Sequence, residues 1–573
     1  MFCNRLYDGQ VRREEVTAAA FERTVDILVA GLGCAGSIAA ITAAEAGAAV
    51  LGVEELPGMG GLGVYGGVWH YFYGSSGGRF ESSNAESDRM MNEEAYTRAE
   101  PRRDGDHYRC YNGTTKGLAL EKEAAAAGVE AWFHTPVTGV FYKTDGDTKH
   151  VVGLECLHDG KLTTIGAKFV IDATGASLVS RMLDLPLHSG RDRDGRQMLV
   201  SKVTTVYRGG EVLGLYRMCG FRENLDCADY TKMLLEALTQ EPCSMPYFTD
   251  DSRMVYEPVE PGVREAARIE AEEGVTFLDY LHGKRTEKPL LYAFAPVDNA
   301  TLDMYNEDDA MLDWMLGCGF MYSYGISVGL PLGALLPRHT EGLLAAGKGI
   351  GVDHDLSTCI RMRKDMEKIG EAAAVSAVCA LRAGCTLRTV SYTDIARMLS
   401  LSGCLDPAND EGLCRVWGGM ERAPETIPDT EEALRAVLSS KNPGTAIYAL
   451  WQKSDKSVEK NGDRSGAVLL LRKWLTDPDD TLRYHAAMAA GLLEMPECLP
   501  VLRTLAEMAP FDLPHGYPYS CLKTRAIYRL GRMHDREALP ILRRVAEDEV
   551  FPENLEKIPH FAHLAIERIE SGG

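Results

Sequence analysis

The chain has 573 residues, 45% hydrophobic and 25% charged, with a net charge of −22. Such acidity excludes the basic face that nucleic acid requires and any attraction to an anionic membrane surface. No apolar run approaches a membrane span, and the first 25 residues lack the apolar core of a signal peptide, so a cytoplasmic protein is expected.

Residues 1–25 read as a surface arm with one helix over 11–23. The stretch 26–61 organises the rest of the chain. A short apolar run, Ile27-Leu28-Val29-Ala30, suits a buried parallel strand and breaks into Gly31-Leu32-Gly33-Cys34-Ala35-Gly36. A helix of small residues comes next, then a second apolar run, 48–53, ending on Glu54. This is a dinucleotide-binding βαβ pattern. Gly31 allows the tight turn, Gly33 lets backbone approach a pyrophosphate, and Gly36 lets helix pack on strand. The helix start offers N–H groups and a positive dipole end to phosphates, and Glu54 is placed to accept from a ribose diol. Cys34 reads as a small packing residue.

A second glycine-rich run, 58–67, leads into the aromatic segment Val68-Trp69-His70-Tyr71-Phe72-Tyr73, which could wall a planar ring. Residues 75–109 are polar and read as a surface excursion or lid. A helix is expected over 115–127, closing on Gly128. Strands are expected at 130–134, 136–142, 151–157 and 162–165, and Lys168 to Asp172 forms a buried strand ending in Ala173-Thr174-Gly175. Residues 177–332 mix short strands (198–207, 290–295) with helices (230–239, 262–271, 310–316), as an inserted domain would. Another strand ends at Ala345-Ala346-Gly347, and a long helix is expected over 358–383.

Beyond residue 406 the composition turns helical. Trp451, Gly491 and Gly531 stand at equivalent places in similar segments 40 residues apart, a period expected of paired-helix solenoids that resemble HEAT repeats. The 15 cysteines include no CxxC pair, which points to free thiols in a reducing compartment and to neither a metal site nor a redox dithiol.

Taken in order, the segments DILVAGLGCAGSIAAITAAEAGAAVLGVEE, GMGGLGVYGG, VIDATG, GLPLGALLP, LLAAGKG and HDLSTCIRMRKDMEKIGEAAAVSA resemble the family of FAD-dependent oxidoreductases whose GxGxxG fold is interrupted by a substrate domain. The expected fold class is α/β: a Rossmann-like FAD-binding domain (26–176 and 333–400) interrupted by an α+β substrate domain (177–332). An all-α HEAT-like domain (406–573) completes the chain. The resemblance implies FAD held by Gly31, Gly33, Cys34, Ala35 and Gly36 at the pyrophosphate, and by Glu54 and Glu55 at the ribose end. Gly60 and Gly61 would lie along the flavin edge, Val137 at the adenine, and Ala173, Thr174, Gly175 and Gly347 near the remaining cofactor. The chain departs from the family at Ala176-Ser177, at Lys348 in place of an arginine, and after Gly60-Gly61, where a Ser or Thr is common.

Flavin carries hydride at N5, so the protein has to orient substrate and manage protons. His354 is the first candidate acid or base, with Arg361 nearby to hold a carboxylate or oxyanion, and His70 is the alternative. The expected activity is hydride transfer between flavin and a small polar organic substrate, with an unidentified electron donor or acceptor. A fumarate-reductase-type reduction of an activated C=C bond is the alternative. So is a flavin-bearing scaffold whose helical repeats bind a partner protein.

Overall fold

The structure of the protein, a computed structural model, describes residues 1–17, 21–69, 71–93, 112–198, 200–208, 211–218, 251–258, 260–297, 306–320, 323–417, 421–453, 464–510, 521–547, 551 and 557–572, with four isolated positions between 228 and 235. It is a mixed sheet flanked by helices, followed by a helical C-terminal region.

The parallel heart of the main sheet holds the runs read as buried strands. Arg23–Ala30 lies between Val50–Val53 and Lys161–Asp172, parallel to both. Glu130–Trp132 extends the sheet beyond Val50–Val53, and Leu343–Ala345 lies parallel to the end of Lys161–Asp172. Residues 27–30 and Val50–Val53 are apolar and buried at every position, as strands covered on both faces must be. Cys34–Glu45 and Gly113–Ala127 are two of the flanking helices. The second closes on Gly128 in the left-handed conformation, as expected. Val137–Asp145 and Thr148–His158 continue the sheet as an antiparallel hairpin.

The helix expected over 11–23 does not form. Phe2–Tyr7 and Gln10–Glu15 make a hairpin that joins the main sheet against Val137–Asp145. Its turn is Asp8-Gly9, both at positive φ, the pair that a right-twisted two-residue turn demands. Residues 75–93 are likewise no surface excursion. Arg79–Glu93 is a helix whose buried face carries Phe80, Ser83, Asn84, Ser87 and Met90, and three of those five are polar, which hides the face from a hydrophobic pattern. Residues 94–109 of the expected excursion lie outside the described residues.

In the middle of the chain, Ser201–Arg208 sits between Glu211–Met218 and Arg253–Tyr256 in a three-stranded sheet. A second sheet pairs Pro289–Pro296 with Tyr324–Pro331. The helix expected over 262–271 is replaced by extended chain, because Glu265 and Arg268 turn inward to a buried ion pair and Arg268–Ile269 pairs with Leu187–His188. Most of 230–239 lies outside the described residues. The helix expected over 358–383 is two helices, His354–Ile360 and Arg363–Ala383, broken at an extended Met362. Leu413–Trp417 and Glu421–Pro424 form a hairpin on Tyr324–Pro331, in a stretch expected to be helical.

The C-terminal helices dock on Asp309–Leu312 and its continuation Asp313–Cys318. Helix Leu522–Arg532 turns a row of arginines toward them. Arg525 donates to the Leu316 and Gly317 carbonyl oxygens (2.6 and 2.9 Å), and Arg529 pairs with Asp313 at 2.6 Å. Arg532 pairs with Asp309. One continuous hydrophobic cluster runs from Ile38 through Trp314 and Val328 to Tyr448 and Ile569. Among the described residues no helix is long and apolar enough to cross a membrane, and eleven cysteines are free.

Asp313→Ala would leave Arg529 charged and buried, and urea denaturation should then show a loss of about 3–5 kcal/mol. A loss below about 1 kcal/mol would mean that the pair does not hold the C-terminal region. Buried His485, with Nδ1 2.6 Å from the Leu438 carbonyl oxygen, has its pKa lowered to about 4, chiefly by burial. The unfolded chain takes up a proton near pH 6.5 that the folded chain refuses until about 4, so stability should rise by roughly 3 kcal/mol from pH 4 to 6.5. His485→Gln should flatten the urea midpoint across that window.

Candidate functional site

The carboxyl ends of Arg23–Ala30, Val50–Val53, Lys161–Asp172 and Leu343–Ala345 converge on one crevice, where open α/β sheets bind ligands. Gly31 has φ +84°, and a Cβ there would lie 2.6 Å from the Ala173 carbonyl oxygen. A Cβ on Gly36 would run into the Gly31 carbonyl oxygen. Glycine is therefore required at both positions by the approach of strand, helix and the 173–175 turn. A Cβ on Gly61 would stand 2.8 Å from Gly33 Cα, and one on Gly347 would stand 3.6 Å from Ala35 Cβ. Gly31, Gly33, Ala35, Gly36, Gly61, Ala173 and Gly347, drawn from four separate stretches, thus line one place. The Cys34 thiol donates to the Gly60 carbonyl oxygen at 3.3 Å and ties in the second glycine run.

The residues fit a dinucleotide's pyrophosphate. Gly33 caps helix Cys34–Glu45 without a side-chain bond, and its first turn holds no acidic residue, so its positive end carries no anion of its own. At Gly175 a Cβ would meet nothing within 4 Å, which leaves room beside the cradle. Thr174 is held by its own turn: its hydroxyl donates to Asp172 at 2.7 Å and accepts from Leu178 N–H at 2.8 Å.

Glu54 is buried, and its two oxygens accept from Leu32 N–H (2.6 Å) and Leu56 N–H (2.9 Å). Burial raises its pKa, and these donors oppose the rise. Glu54 therefore braces the glycine turn, while Glu55 is exposed. Val137, buried, opens its strand just after Thr135, whose N–H donates to the Glu54 carbonyl oxygen at 2.8 Å. At the departures from the family, Lys348 donates to the Val263 carbonyl oxygen and Ser177 to the Ala267 carbonyl oxygen.

His354 lies apart from this crevice in character. It is 3% exposed, with Nδ1 2.9 Å from Glu265 and Nε2 3.0 Å from Glu307. Burial opposes its charge, but the two carboxylates outweigh burial and hold its pKa well above 6.5. Neither ring nitrogen is turned to a substrate. Arg361 stands at the C-terminal end of helix His354–Ile360, the opposite end from His354. His70 lies outside the described residues.

A buried polar group beside the cradle went unread in the sequence. Lys116 donates to Ser83 Oγ (2.7 Å) and pairs with Glu367 at 3.3 Å, each side chain 3% exposed. Burial raises the Cys34 thiol's pKa; Arg363 and Lys116 oppose the rise and Glu367 adds to it, so these charges act at the first turn of the dinucleotide helix. Asp365, fully buried, accepts from Ser75 N–H (2.9 Å) and Phe294 N–H (3.1 Å), and burial pushes it up to about 6. The available signal was a charge on an otherwise apolar helix face: Lys116 precedes Leu120 and Ala124 by four and eight residues.

The sequence model of the family described as FAD dependent oxidoreductase matches residues 26–242 and 218–399. Among solved structures, a geranylgeranyl bacteriochlorophyll reductase-like protein from Thermoplasma acidophilum is 15% identical. The match covers 94% of this chain and 99% of that one, with a TM-score of 0.33. The p-nitrophenol 4-monooxygenase PnpA of Pseudomonas putida is 11% identical over 83% of this chain and 98% of its own, also with a TM-score of 0.33. A flavocytochrome c3 fumarate reductase is 22% identical over 28% of this chain and 35% of its own, with a TM-score of 0.20.

Gly31→Ala should purify with less than about a tenth of the wild-type flavin, since the substitution is strained in φ and collides with the Ala173 carbonyl. Normal flavin-to-protein absorbance in a folded variant would remove the cradle from cofactor binding.

Proposed function

Because the chain belongs to the FAD dependent oxidoreductase family, we propose that it is a dehydrogenase or reductase exchanging a hydride with a small organic anion. It is an FAD-dependent oxidoreductase, and FAD when bound supplies the hydride acceptor or donor. The substrate class is supported by one observation: the break between helices His354–Ile360 and Arg363–Ala383 carries Arg361, Arg363 and Lys364 in succession, and the Arg363 charge acts on Cys34 in the cradle. The Arg363 guanidinium lies 5.7 Å from the Tyr71 ring centre and the Lys364 ammonium 5.4 Å from that of Phe80. Cations against an aromatic wall favour a carboxylate or similar oxyanion, held by charge and shielded from water.

In this reading Arg363 and Arg361 bind and orient the substrate's anionic group, and Tyr71 and Phe80 exclude water. Burial and then the Glu367 carboxylate push the Tyr71 phenol well above 10, so it keeps its proton and can donate to a developing oxyanion. His70, in the same aromatic segment, is the group proposed to move a proton. His354, bound on both nitrogens, holds one. The cation row would equally grip the carboxylates of an activated alkene, which supports reduction of a C=C bond as the second reading.

Residues 26–176 and 333–400 are proposed as the FAD-binding domain and 177–332 as the inserted substrate domain, supported by the separate sheets of that stretch. The C-terminal helices are read as HEAT-like repeats. Their equivalent glycines support this: a Cβ on Gly491 would strike Arg529 Cγ at 2.5 Å, and one on Gly531 would strike Ala565 Cα at 2.6 Å, each on a helix of the following unit. The buried free thiols support a cytoplasmic location.

Anaerobic mixing with a panel of small carboxylates, read as bleaching of the flavin absorbance, identifies the substrate. On that substrate Arg363→Met should raise KM about 10- to 100-fold, the worth of one charge-assisted hydrogen bond, while keeping flavin bound. An unchanged KM would sink the proposed anion site.

A further inference from the structure

The cluster around His354 has no part in the hydride-transfer scheme, and its parts are arranged as metal ligands are. Glu307, His354 and Asp355 are 5%, 3% and 3% exposed, and each offers a donor atom within 4.8 Å of the other two. His354 Nε2 and Glu307 Oε2 stand 3.0 Å apart. Two ligands at about 2.1 Å from one ion and at a right angle are separated by about 3 Å, so the pair can share an ion where it now shares a proton.

The far side of the imidazole is built the same way. Nδ1 faces Glu265 at 2.9 Å, and Glu265 is itself anchored by the N–H groups of Gly190 and Met198, both at 2.9 Å, and by Arg268. A carboxylate behind a ligating histidine fixes the ring and presents Nε2 to the ion.

A separate observation points to a ligand. Asp355 Oδ2 accepts from Met311 N–H at 3.1 Å, but Oδ1 is buried and has no hydrogen-bond partner among the described residues. An unmet carboxylate oxygen in so dry a place is costly, and a cation would satisfy it. Charge agrees. Arg191, 3.6 Å from Glu307 Oε1, is already bonded to Asp194 at 2.6 Å, and Asp353 is spent on the N–H groups of Leu356 and Phe277. An ion at Nε2 would take the place of the proton that His354 now shares with Glu307.

We propose that Glu307, His354 and Asp355 bind one divalent first-row transition ion of the Mn²⁺-to-Zn²⁺ range. One imidazole with two carboxylates suits such ions better than Ca²⁺, which prefers oxygen alone, or Cu(I), which prefers sulfur. The ion would pin the segment before Asp309–Leu312 to the start of helix His354–Ile360, and so to the strand end that carries Gly347.

The test uses the full-length, flavin-loaded protein, incubated with Zn²⁺, dialysed, and analysed for metal by mass spectrometry. The wild type should retain about one ion per chain, and Asp355→Asn and Glu307→Gln should lose at least tenfold, with flavin content unchanged. If Glu307→Gln does not fold, Asp355→Asn, nearly isosteric, decides alone. In parallel, a chelator should lower the wild-type Tm and Zn²⁺ should restore it, with Asp355→Asn responding to neither. Less than about a tenth of an ion in the wild type, or full retention by Asp355→Asn, overturns the proposal and leaves His354 as an imidazolium between two carboxylates.

Discussion

Two helices cross over Ala35 so closely that their backbones touch, and the placement of both sites is set by that crossing. A Cβ on Gly370, in the long helix Arg363–Ala383, would run into the Ala35 carbonyl oxygen, and Gly347 approaches the same residue from the last parallel strand. Backbone meets backbone with no side chain between. Packed interiors cannot yield by a methyl group without moving the elements that carry it. That approach brings the N-terminus of the long helix, with its cations, beside the first turn of the dinucleotide helix. The cofactor cradle and the proposed anion site are adjacent for the same steric reason.

Close helix packing creates a second requirement, since the long helix is buried and yet carries Asp365, Glu367, Lys368 and Glu371. Each of these has a partner from the segment 75–83 or from helix Gly113–Ala127. Glu371 accepts from Arg79 N–H at 2.7 Å, and Lys368 donates to the Ser76 carbonyl oxygen at 3.3 Å. Unpaired, any of these groups would be strongly destabilising, so their hydrogen bonds specify where a polar stretch must lie. This explains why residues 75–93, polar in composition, form structure against the core rather than a surface loop. The same logic docks the C-terminal helices, whose arginine row satisfies the carbonyl oxygens ending Asp313–Cys318 and the carboxylates of Asp309 and Asp313.

The cradle was legible in the sequence and the chemistry around it was not. Gly31, Gly33 and Gly36 follow a strand and open a helix, so the turn is legible within six residues, while the Ala173 carbonyl that enforces glycine at 31 comes from distant chain. The Asp8-Gly9 turn carried an equally local signal, and the hairpin it makes replaces the helix read over 11–23. His354 and Arg361 are near in sequence, but they stand at opposite ends of a seven-residue helix, and the imidazole is met by Glu265 and Glu307 from distant chain. Lys116 and Glu367 are 251 residues apart and gave no sign of each other.

Neighbouring residues alone specify the glycine turn after the first parallel strand, the parallel strands and the 40-residue recurrence of the C-terminal helices, because glycine turns, strand runs and helix periods are local patterns. Which charges are buried, and what each one faces, is settled only when the chain is packed. A buried ion's partner is chosen by the packing of elements distant in the chain, and no local pattern encodes it. That is why Glu265 and Glu307, 89 and 47 residues away, enter beside His354 only when the fold is closed.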